Sequence, residues 1–244
     1  MAARLRFSHV LIRVDDLKAA VADYAALGFT CVWGSAPERA HNALIYFEDG
    51  PFLELFKPPP ASAAAELALA AVMGRPAARR VRRWGEAPCG LVEYALETDD
   101  ADLKAVRAAS KAAGAPLGRI VGTTRTRPDG VKLAWQMLTP AALDLPFAMG
   151  AYTPPDTQPD AVRRHANGAR RVGRMDLAHP DPADLGRRLT LLLGEDPAAQ
   201  GIAIAKGAAY AIASLTLEGL AADIPPAGAH GAVFLAAQSG ASPE

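Results

Sequence analysis

The chain of 244 residues is half hydrophobic and carries 26 basic and 26 acidic side chains, so its formal net charge is zero. This length can bury a full core as one large or two small domains, and the neutral charge argues against nucleic acid as the main partner. No apolar run is long enough to cross a bilayer, no signal peptide is evident, and the two cysteines suit reduced thiols. We therefore expect a cytoplasmic protein.

The first predicted element is a strand over residues 7–14 that leads into a helix. Side chains alternate along a strand, so the apolar residues next to His9 take one face and His9 takes the other. Asp16 suits the N-cap of the helix and Gly28 suits its end. An imidazole in the middle of an otherwise apolar strand is unusual, and it makes His9 the first candidate for a functional site.

Three further strands complete the first part of the chain. They are predicted at residues 29–33, 43–47 and 52–56. In the last of them Glu54 shares a face with two phenylalanines, one on either side. A buried carboxylate must be paired, hydrogen-bonded or metal-bound, so Glu54 is the second candidate.

A stretch rich in proline and alanine, residues 58–86, is predicted as a connector. Three consecutive prolines cannot continue a strand, and residues 61–73 suit a helix. The arginine-rich segment 78–84 could bind an anion, but a charge run alone is typical of a solvated face, and we favour that interpretation.

Residues 87–152 repeat the pattern of the first part. In the predicted strand 91–98, Glu93, Ala95 and Glu97 share one face. Further strands are predicted at residues 119–121, 131–138 and 145–152. The polar stretch 123–130 ends in Pro-Asp-Gly and is predicted as a turn.

One sequence pattern occurs three times along the chain. Asp16, Asp102 and Pro182 each begin a predicted helix that a glycine ends at the same spacing, and each helix follows a strand-like run. Such repetition indicates a fold built from copies of one unit, which here is βαβββ. The predicted division is a first unit at residues 1–57, a connector at 58–86, a second unit at 87–152, a connector at 153–171, a partial third unit at 172–222 and a tail at 223–244 with frayed last residues.

Several motifs together resemble a known group of proteins. They are residues 9–17, 42–45 and 50–55 in the first half, and residues 90–100, 125–135, 145–147 and 165–168 beyond it. A repeated βαβββ unit with a His in its first strand and a Glu in its last resembles the vicinal oxygen chelate superfamily, and within it the glyoxalase-like domain proteins. The resemblance covers most of residues 5–220. It implies an α+β fold in which tandem βαβββ units form a cupped mixed sheet around a cavity.

The resemblance also implies a divalent metal in the cup, held by inward side chains from the first and last strands of each unit. His9 and Glu54 match the two positions of the first unit, and such ligands suit Zn, Mn, Fe, Ni or Co. In the second unit either Glu93 or Ala95 takes the place of His9, depending on how the helix start is aligned. The last-strand position falls on Gly150, which has no side chain. Glu93 is the candidate for moving a proton in catalysis.

Five more residues are candidates for holding a substrate: Trp33, His41, Arg125, Arg127 and Trp135. A guanidinium matches carboxylate geometry, so the two arginines could hold an anionic substrate. We favour an exposed turn for both, because arginine is mostly exposed. For Trp135, core packing in an apolar strand is the favoured interpretation over a stacking platform.

The chemistry of the superfamily is diverse, so the fold does not fix the reaction. One hypothesis is a metal-dependent lyase, isomerase or dioxygenase that acts on a small oxygen-rich molecule. The alternative is a metal-free protein that binds or sequesters a small molecule. Three or more convergent donors would favour the enzyme, and two would favour the binding protein. We expect a small-molecule ligand, no nucleic acid and no membrane, and a homodimer is the assembly to test.

Overall fold

The computed structural model describes residues 5–238. The predicted first unit and tail also contain residues 1–4 and 239–244, which lie outside the described residues together with the frayed end predicted for the tail. Within the described range the strands form one eight-stranded and one four-stranded sheet, accompanied by five α-helices. The predicted α+β class is confirmed.

The first half of the large sheet comes from residues 6–56. Its elements are β1 (Arg6–Arg13), α1 (Leu17–Ala26), β2 (Val32–Trp33), β3 (Asn42–Ile45) and β4 (Phe52–Phe56). The carboxylate of Asp16 caps α1 by accepting from two backbone N–H groups of its first turn, as its place in the sequence predicts. β1 pairs in parallel with β4, which puts His9 and Glu54 on neighbouring strands.

Two helices connect the halves of this sheet. They are α2 (Ala63–Met73) and α3 (Arg75–Glu86). The hydroxyl of Ser62 caps α2, and a proline lies in the first turn of α3, where its missing N–H costs nothing. Between the helices Gly74 has a φ of 91°, a conformation that favours glycine and lets the chain turn sharply.

The second half of the large sheet has the same arrangement as the first. Its elements are β5 (Gly90–Glu97), α4 (Lys104–Ala112), β6 (Leu117–Thr126), β7 (Lys132–Pro140) and β8 (Phe147–Met149). The strand order is β2-β3-β4-β1 in the first half and β6-β7-β8-β5 in the second, and β1 and β5 join the halves as antiparallel neighbours. The two halves are therefore related by an approximate twofold axis that passes between β1 and β5.

One predicted turn is wrong over half of its length. Residues 123–126 continue β6 and pair with β7, from Thr123 opposite Trp135 to Thr126 opposite Lys132. The chain turns only after them, where the N–H of Gly130 donates to the carbonyl of Arg127. The threonines among these residues suit a strand because β-branched residues pack well in a sheet.

The third strand–helix segment and part of the predicted tail form the small sheet. Its elements are β9 (Arg171–His179), α5 (Pro182–Leu193), β10 (Ile202–Lys206), β11 (Ala211–Glu218) and β12 (Phe234–Ala236), and short 3₁₀ helices span Asp160–Arg163, Pro197–Gln200 and Pro226–Gly228. The strand order is β10-β9-β11-β12, so β10 pairs directly with β9, unlike the corresponding strands of the large sheet. β12 lies in the stretch predicted as a tail, and the side chain of Phe234 is fully buried.

Hydrophobic residues pack on both faces of the large sheet. The main core joins buried residues of both sheets, α1 and α5, and a smaller cluster that includes Leu11 and Phe147 lies apart from it. Along β1, Val10 belongs to the main core and Leu11 to the smaller cluster, so alternation puts His9 on the face of the smaller cluster. None of the helices in residues 5–238 has the length and apolarity needed to span a membrane.

Candidate functional site

A cavity of about 510 Å³ opens on the curled face of the large sheet that carries the smaller cluster. Strands of both halves form its walls, and the connector helices contribute Leu69 and Trp84. Most of the lining surface is apolar, and its polar or charged residues include His9, Glu54 and Arg125. Ligand-binding pockets commonly combine this size with apolar walls and a small number of polar side chains.

The imidazole of His9 lies in the cavity wall and is only 3% exposed. It stacks on the ring of Phe52 with a centroid distance of 4.5 Å and meets Phe147 edge-on at 5.7 Å. Burial, with the nearby positive charge of Arg125, lowers the pKa of His9 to about 3, since both disfavour the imidazolium form. His9 is therefore neutral at neutral pH.

The hydrogen bonds around His9 assign its tautomer. The Oγ of Ser8 lies 2.9 Å from Nδ1 of His9, and its hydroxyl donates to Oε2 of Glu97 at 2.7 Å. Glu97 is also ion-paired with Arg6 at 2.8 Å, so its carboxylate is an acceptor. Because a hydroxyl has one hydrogen, Ser8 must accept from Nδ1–H. Nε2 of His9 then presents a lone pair.

The carboxylate of Glu54 faces that lone pair. Its Oε1 accepts from Nδ2 of Asn42 at 2.8 Å, and its Oε2 lies 3.5 Å from Nε2 of His9. The side chain of Glu54 is 18% exposed, and burial raises its pKa because desolvation disfavours a charged carboxylate. When Glu54 is ionised, two acceptor atoms lie side by side with no donor between them.

Strand pairing identifies the residue of the second half that corresponds to His9. In the antiparallel pair of β1 and β5, His9 lies directly opposite Ala95. Each of the two is also opposite a phenylalanine of its parallel neighbour, Phe52 for His9 and Phe147 for Ala95. Ala95 therefore occupies the equivalent position, and Glu93, the alternative, does not.

The same pairing identifies the residue that corresponds to Glu54. Glu54 follows Phe52 by two positions in β4, and Met149 follows Phe147 by two positions in β8. Met149 is therefore the equivalent residue and lines the cavity. The prediction of Gly150 for this position is wrong by one residue, because β8 ends at Met149.

Glu93, predicted as the proton carrier, is held away from the cavity by α3. Its side chain is fully buried. Oε2 accepts hydrogen bonds from the guanidinium groups of Arg80 and Arg83, the latter at 2.6 Å, and Oε1 accepts from the backbone N–H of Tyr94 at 3.2 Å. The carboxylate fastens α3 to β5, and this geometry does not support a catalytic role.

The two predicted arginines have different places. Arg125 lies in the cavity wall, is 8% exposed and donates from Nη2 to Asp156 at 3.1 Å. Arg127 lies outside the lining and pairs with Asp129 and with Asp156. The exposed turn that we favoured for both is wrong for Arg125, because β6 continues through it and places its side chain inside.

Of the other predicted residues, His41 and Trp135 line the cavity, whereas Trp33 packs against the main core. Asn42 and Trp84 are among the lining residues that the sequence did not single out. For Asn42 the available signal is a polar residue at the start of an apolar strand. For Trp84 no local pattern indicates that α3 folds over the cup.

The model of the glyoxalase-like domain family matches residues 7–193 of this chain. The chain belongs to that family. The predicted relation to the vicinal oxygen chelate superfamily is thereby confirmed. A comparison with curated proteins found no match.

Three solved structures are similar to this chain at low sequence identity. A hypothetical protein from Staphylococcus aureus has a TM-score of 0.67 and 14% identity, over 94% of this chain and 98% of that one. A Mn(II)-bound glyoxalase from Novosphingobium aromaticivorans has a TM-score of 0.51 and 15% identity, over 95% of this chain and 71% of that one. An extradiol ring-cleaving dioxygenase from B. fuscum has a TM-score of 0.49 and 13% identity, over 89% of this chain and 57% of that one.

The divalent metal implied by the fold family does not fit the donor set of this glyoxalase-like chain. His9 and Glu54 offer two donors, while Ala95 and Met149 offer none that Mn or Zn prefers. No group of three or more His, Cys, Asp and Glu side chains in residues 5–238 is placed to hold a metal ion, although catalytic metal sites commonly have three protein ligands. Arg125 adds a fixed positive charge to the same cavity.

Proposed function

We propose that the cup binds a small molecule with an apolar body and a hydroxyl group, and that it does so without a metal. The observation that carries the proposal is the pair of acceptor atoms, Nε2 of His9 and Oε2 of Glu54. They lie 3.5 Å apart in a cavity whose walls are mostly apolar.

Two facing acceptors need a hydrogen-bond donor. A ligand hydroxyl beside them would donate its one hydrogen to Nε2 of His9 or to Oε2 of Glu54, and such a hydrogen bond contributes about 0.5–1.5 kcal/mol. The rest of the molecule would bury apolar surface against Trp84, Trp135 and Phe147, which line the cavity. This arrangement supports binding first of all.

The same pair could also convert what it binds. A bound hydroxyl could pass its proton to Glu54, whose raised pKa makes it a better base than His9 with its lowered pKa. Proton transfer to a positioned side chain is a common catalytic step. Binding is the proposal, and conversion is its extension to an enzyme.

Catechol in buffer with EDTA tests the proposal, because it carries hydroxyl groups on an apolar ring and has no charge. We expect saturable quenching of the emission of Trp84 and Trp135, which line the cavity. Trp33→Phe, outside the lining, should leave the quenching intact, whereas Trp84→Phe should reduce it. His9→Phe keeps a ring against Phe52 and removes the acceptor, so it should weaken binding about tenfold.

Three results would contradict the proposal. The first is catechol binding that requires added Mn²⁺ and is absent in EDTA. The second is no binding under either condition. The third is equal affinity of the wild type and His9→Phe, which would show that catechol lies elsewhere in the protein.

A further inference from the structure

A second polar group of the cavity has two donor atoms without hydrogen-bond partners. Arg125 lines the cavity and is 8% exposed. Its Nη2 donates to Asp156 at 3.1 Å, but Nε and Nη1 are buried and have no hydrogen-bond partner in the described part of the chain. Buried donors of a charged group are costly without acceptors. Arg125 therefore keeps donor capacity beyond its hydrogen bond with Asp156.

Asp156 accepts hydrogen bonds from other residues besides Arg125. Its carboxylate also accepts from the hydroxyl of Tyr46 at 3.0 Å and from Nη1 of Arg127 at 2.9 Å. Arg127 has a second carboxylate partner in Asp129, whereas Asp156 is the only carboxylate paired with Arg125 among residues 5–238. The two guanidinium groups and the two carboxylates balance in charge, so what Arg125 offers a ligand is its N–H donors rather than a surplus of charge.

We propose that Arg125 binds a carboxylate of the ligand, so that the molecule held in the cup is a small hydroxy acid. This inference rests on the proposed function, which supplies the hydroxyl at His9 and Glu54. Guanidinium is charged throughout the physiological range, and its N–H groups match carboxylate oxygens in charge and geometry. A monoanion suits the cavity better than a phosphate dianion, because Glu54 in the same cavity would repel the additional negative charge.

One small molecule can reach both ends of this site. A Cβ built on Gly34 would overlap Oδ1 of Asn42 and lie 2.9 Å from Nη1 of Arg125. Because Asn42 also donates to Glu54, the guanidinium lies close to that carboxylate. Trp135 lies on the strand next to β6 and lines the same cavity, where it can pack against an aromatic ring. Mandelate, an aromatic hydroxy acid, has all three features.

Mandelate and mandelamide form a matched pair of probes, because both carry the phenyl ring and the hydroxyl and only mandelate carries a carboxylate. We expect wild-type protein in EDTA to prefer mandelate at least about tenfold in calorimetric titration. Arg125→Gln should abolish the preference, and Arg125→Lys should keep part of it. Arg127→Gln, which removes the other guanidinium bound to Asp156, should keep the preference in full.

The wild-type comparison needs no variant, so the test holds even if an Arg125 variant fails to fold. Equal affinity for mandelate and mandelamide would overturn the role of Arg125 and leave the proposed function standing. The inference is also overturned by a preference that survives Arg125→Gln in a folded variant, or by binding of catechol alone. If none of the three probes binds, it is the proposed function that fails.

Discussion

At the scale of single residues, two carboxylates of the large sheet have opposite surroundings. Glu54 faces a neutral imidazole and has one amide donor, and burial raises its pKa. Glu93 is met by two guanidinium groups, those of Arg80 and Arg83. Glu54 can therefore exchange a proton with a ligand, whereas Glu93 is held as a counter-ion.

Replacing Glu93 with Gln should destabilise the whole fold. It leaves the guanidinium of Arg80, which is 1% exposed, without its counter-ion, and removing one partner of a buried ion pair costs about 3–5 kcal/mol. Urea unfolding followed by circular dichroism measures the loss. Arg82→Gln breaks exposed pairs with Glu66 and Glu86 and, as the control, should cost about 1 kcal/mol or less. A Glu93→Gln variant as stable as the control would refute the structural role.

His9 should stay neutral in mildly acid solution. Its pKa is about 3 in the folded protein and about 6.5 in an unfolded chain, so between these values the unfolded chain binds more protons. The contribution of His9 to the free energy of unfolding is therefore fully present above about pH 6.5 and is lost as the pH falls toward 3.

The raised pKa of Glu54 acts with the opposite sign, because there the folded protein binds the extra proton and loses stability as the pH rises. A site-specific measurement separates the two groups. The NMR shift of the His9 ring, assigned with His9→Asn, should remain flat between about pH 7.5 and 5. A midpoint near the value for a free histidine would contradict the prediction.

At the scale of elements, the two connector helices differ in how firmly they are packed against the rest of the protein. α3 is anchored by the buried pair of Arg80 and Glu93. α2 has no buried residue, and its Leu67 and Val72 are 75% and 72% exposed. Since Leu69 of α2 lines the cavity, the least buried helix forms part of the cavity wall.

We expect backbone amides of α2 to exchange hydrogen faster than those of α3. Opening of α2 exposes little buried surface, whereas opening of α3 breaks a buried ion pair, so the free energies of local opening should differ. Hydrogen exchange read by mass spectrometry compares the two helices in one protein. A ligand in the cup should slow exchange in α2 through Leu69. Equal protection of the two helices in the free protein would argue against this difference.

The elements themselves could largely be predicted from local patterns. Alternation put His9 and Glu54 on inward faces, and capping placed the start of α1 after Asp16. The length of β6 could not be predicted, because threonines and arginines occur both in turns and in strands, and pairing with β7 decides between them.

The residues equivalent to His9 and Glu54 could be identified only from the strand register. Counting along the sequence did not decide whether Glu93 or Ala95 is equivalent to His9. For Glu54 it predicted Gly150, one residue away from Met149. A shift of one residue moves a side chain to the other face of a sheet, so an alignment by helix starts is too coarse. Only the pairing of β5 with β1 and β8 fixes the positions.

At the scale of the whole molecule, the last strand of the small sheet packs against the first half of the large one. Phe234 is fully buried, and its ring centroid lies 6.1 Å from that of Tyr24 and 5.9 Å from that of Phe29. Phe234→Ala should therefore cost about 3–5 kcal/mol in urea unfolding. Leu235→Ala, at the partly exposed next position of β12, should cost clearly less, and equal costs would contradict this role of Phe234.

The two halves of the large sheet share one strand order and differ in chemistry. His9 and Glu54 in the first half correspond to Ala95 and Met149 in the second. The cup consequently has polar groups at positions where the opposite half has apolar ones. This asymmetry is what a ligand with one polar end and an apolar body requires.

Met149→Glu should give the cup a metal affinity that the wild-type donor set does not support. Met149 lines the cavity and is 2% exposed, so a carboxylate there would join His9 and Glu54 as a third donor, the number common in catalytic metal sites. Mn²⁺ should bind the variant at least about tenfold more tightly than the wild type in calorimetric titration. Mn²⁺ should also raise the Tm of the variant, because an ion that binds only the folded state stabilises that state.

Met149→Gln, of the same length and uncharged, should show neither effect. Unchanged Mn²⁺ affinity in Met149→Glu would mean that positions 149 and 54 are not equivalent, and that the twofold relation of the strands does not extend to the site.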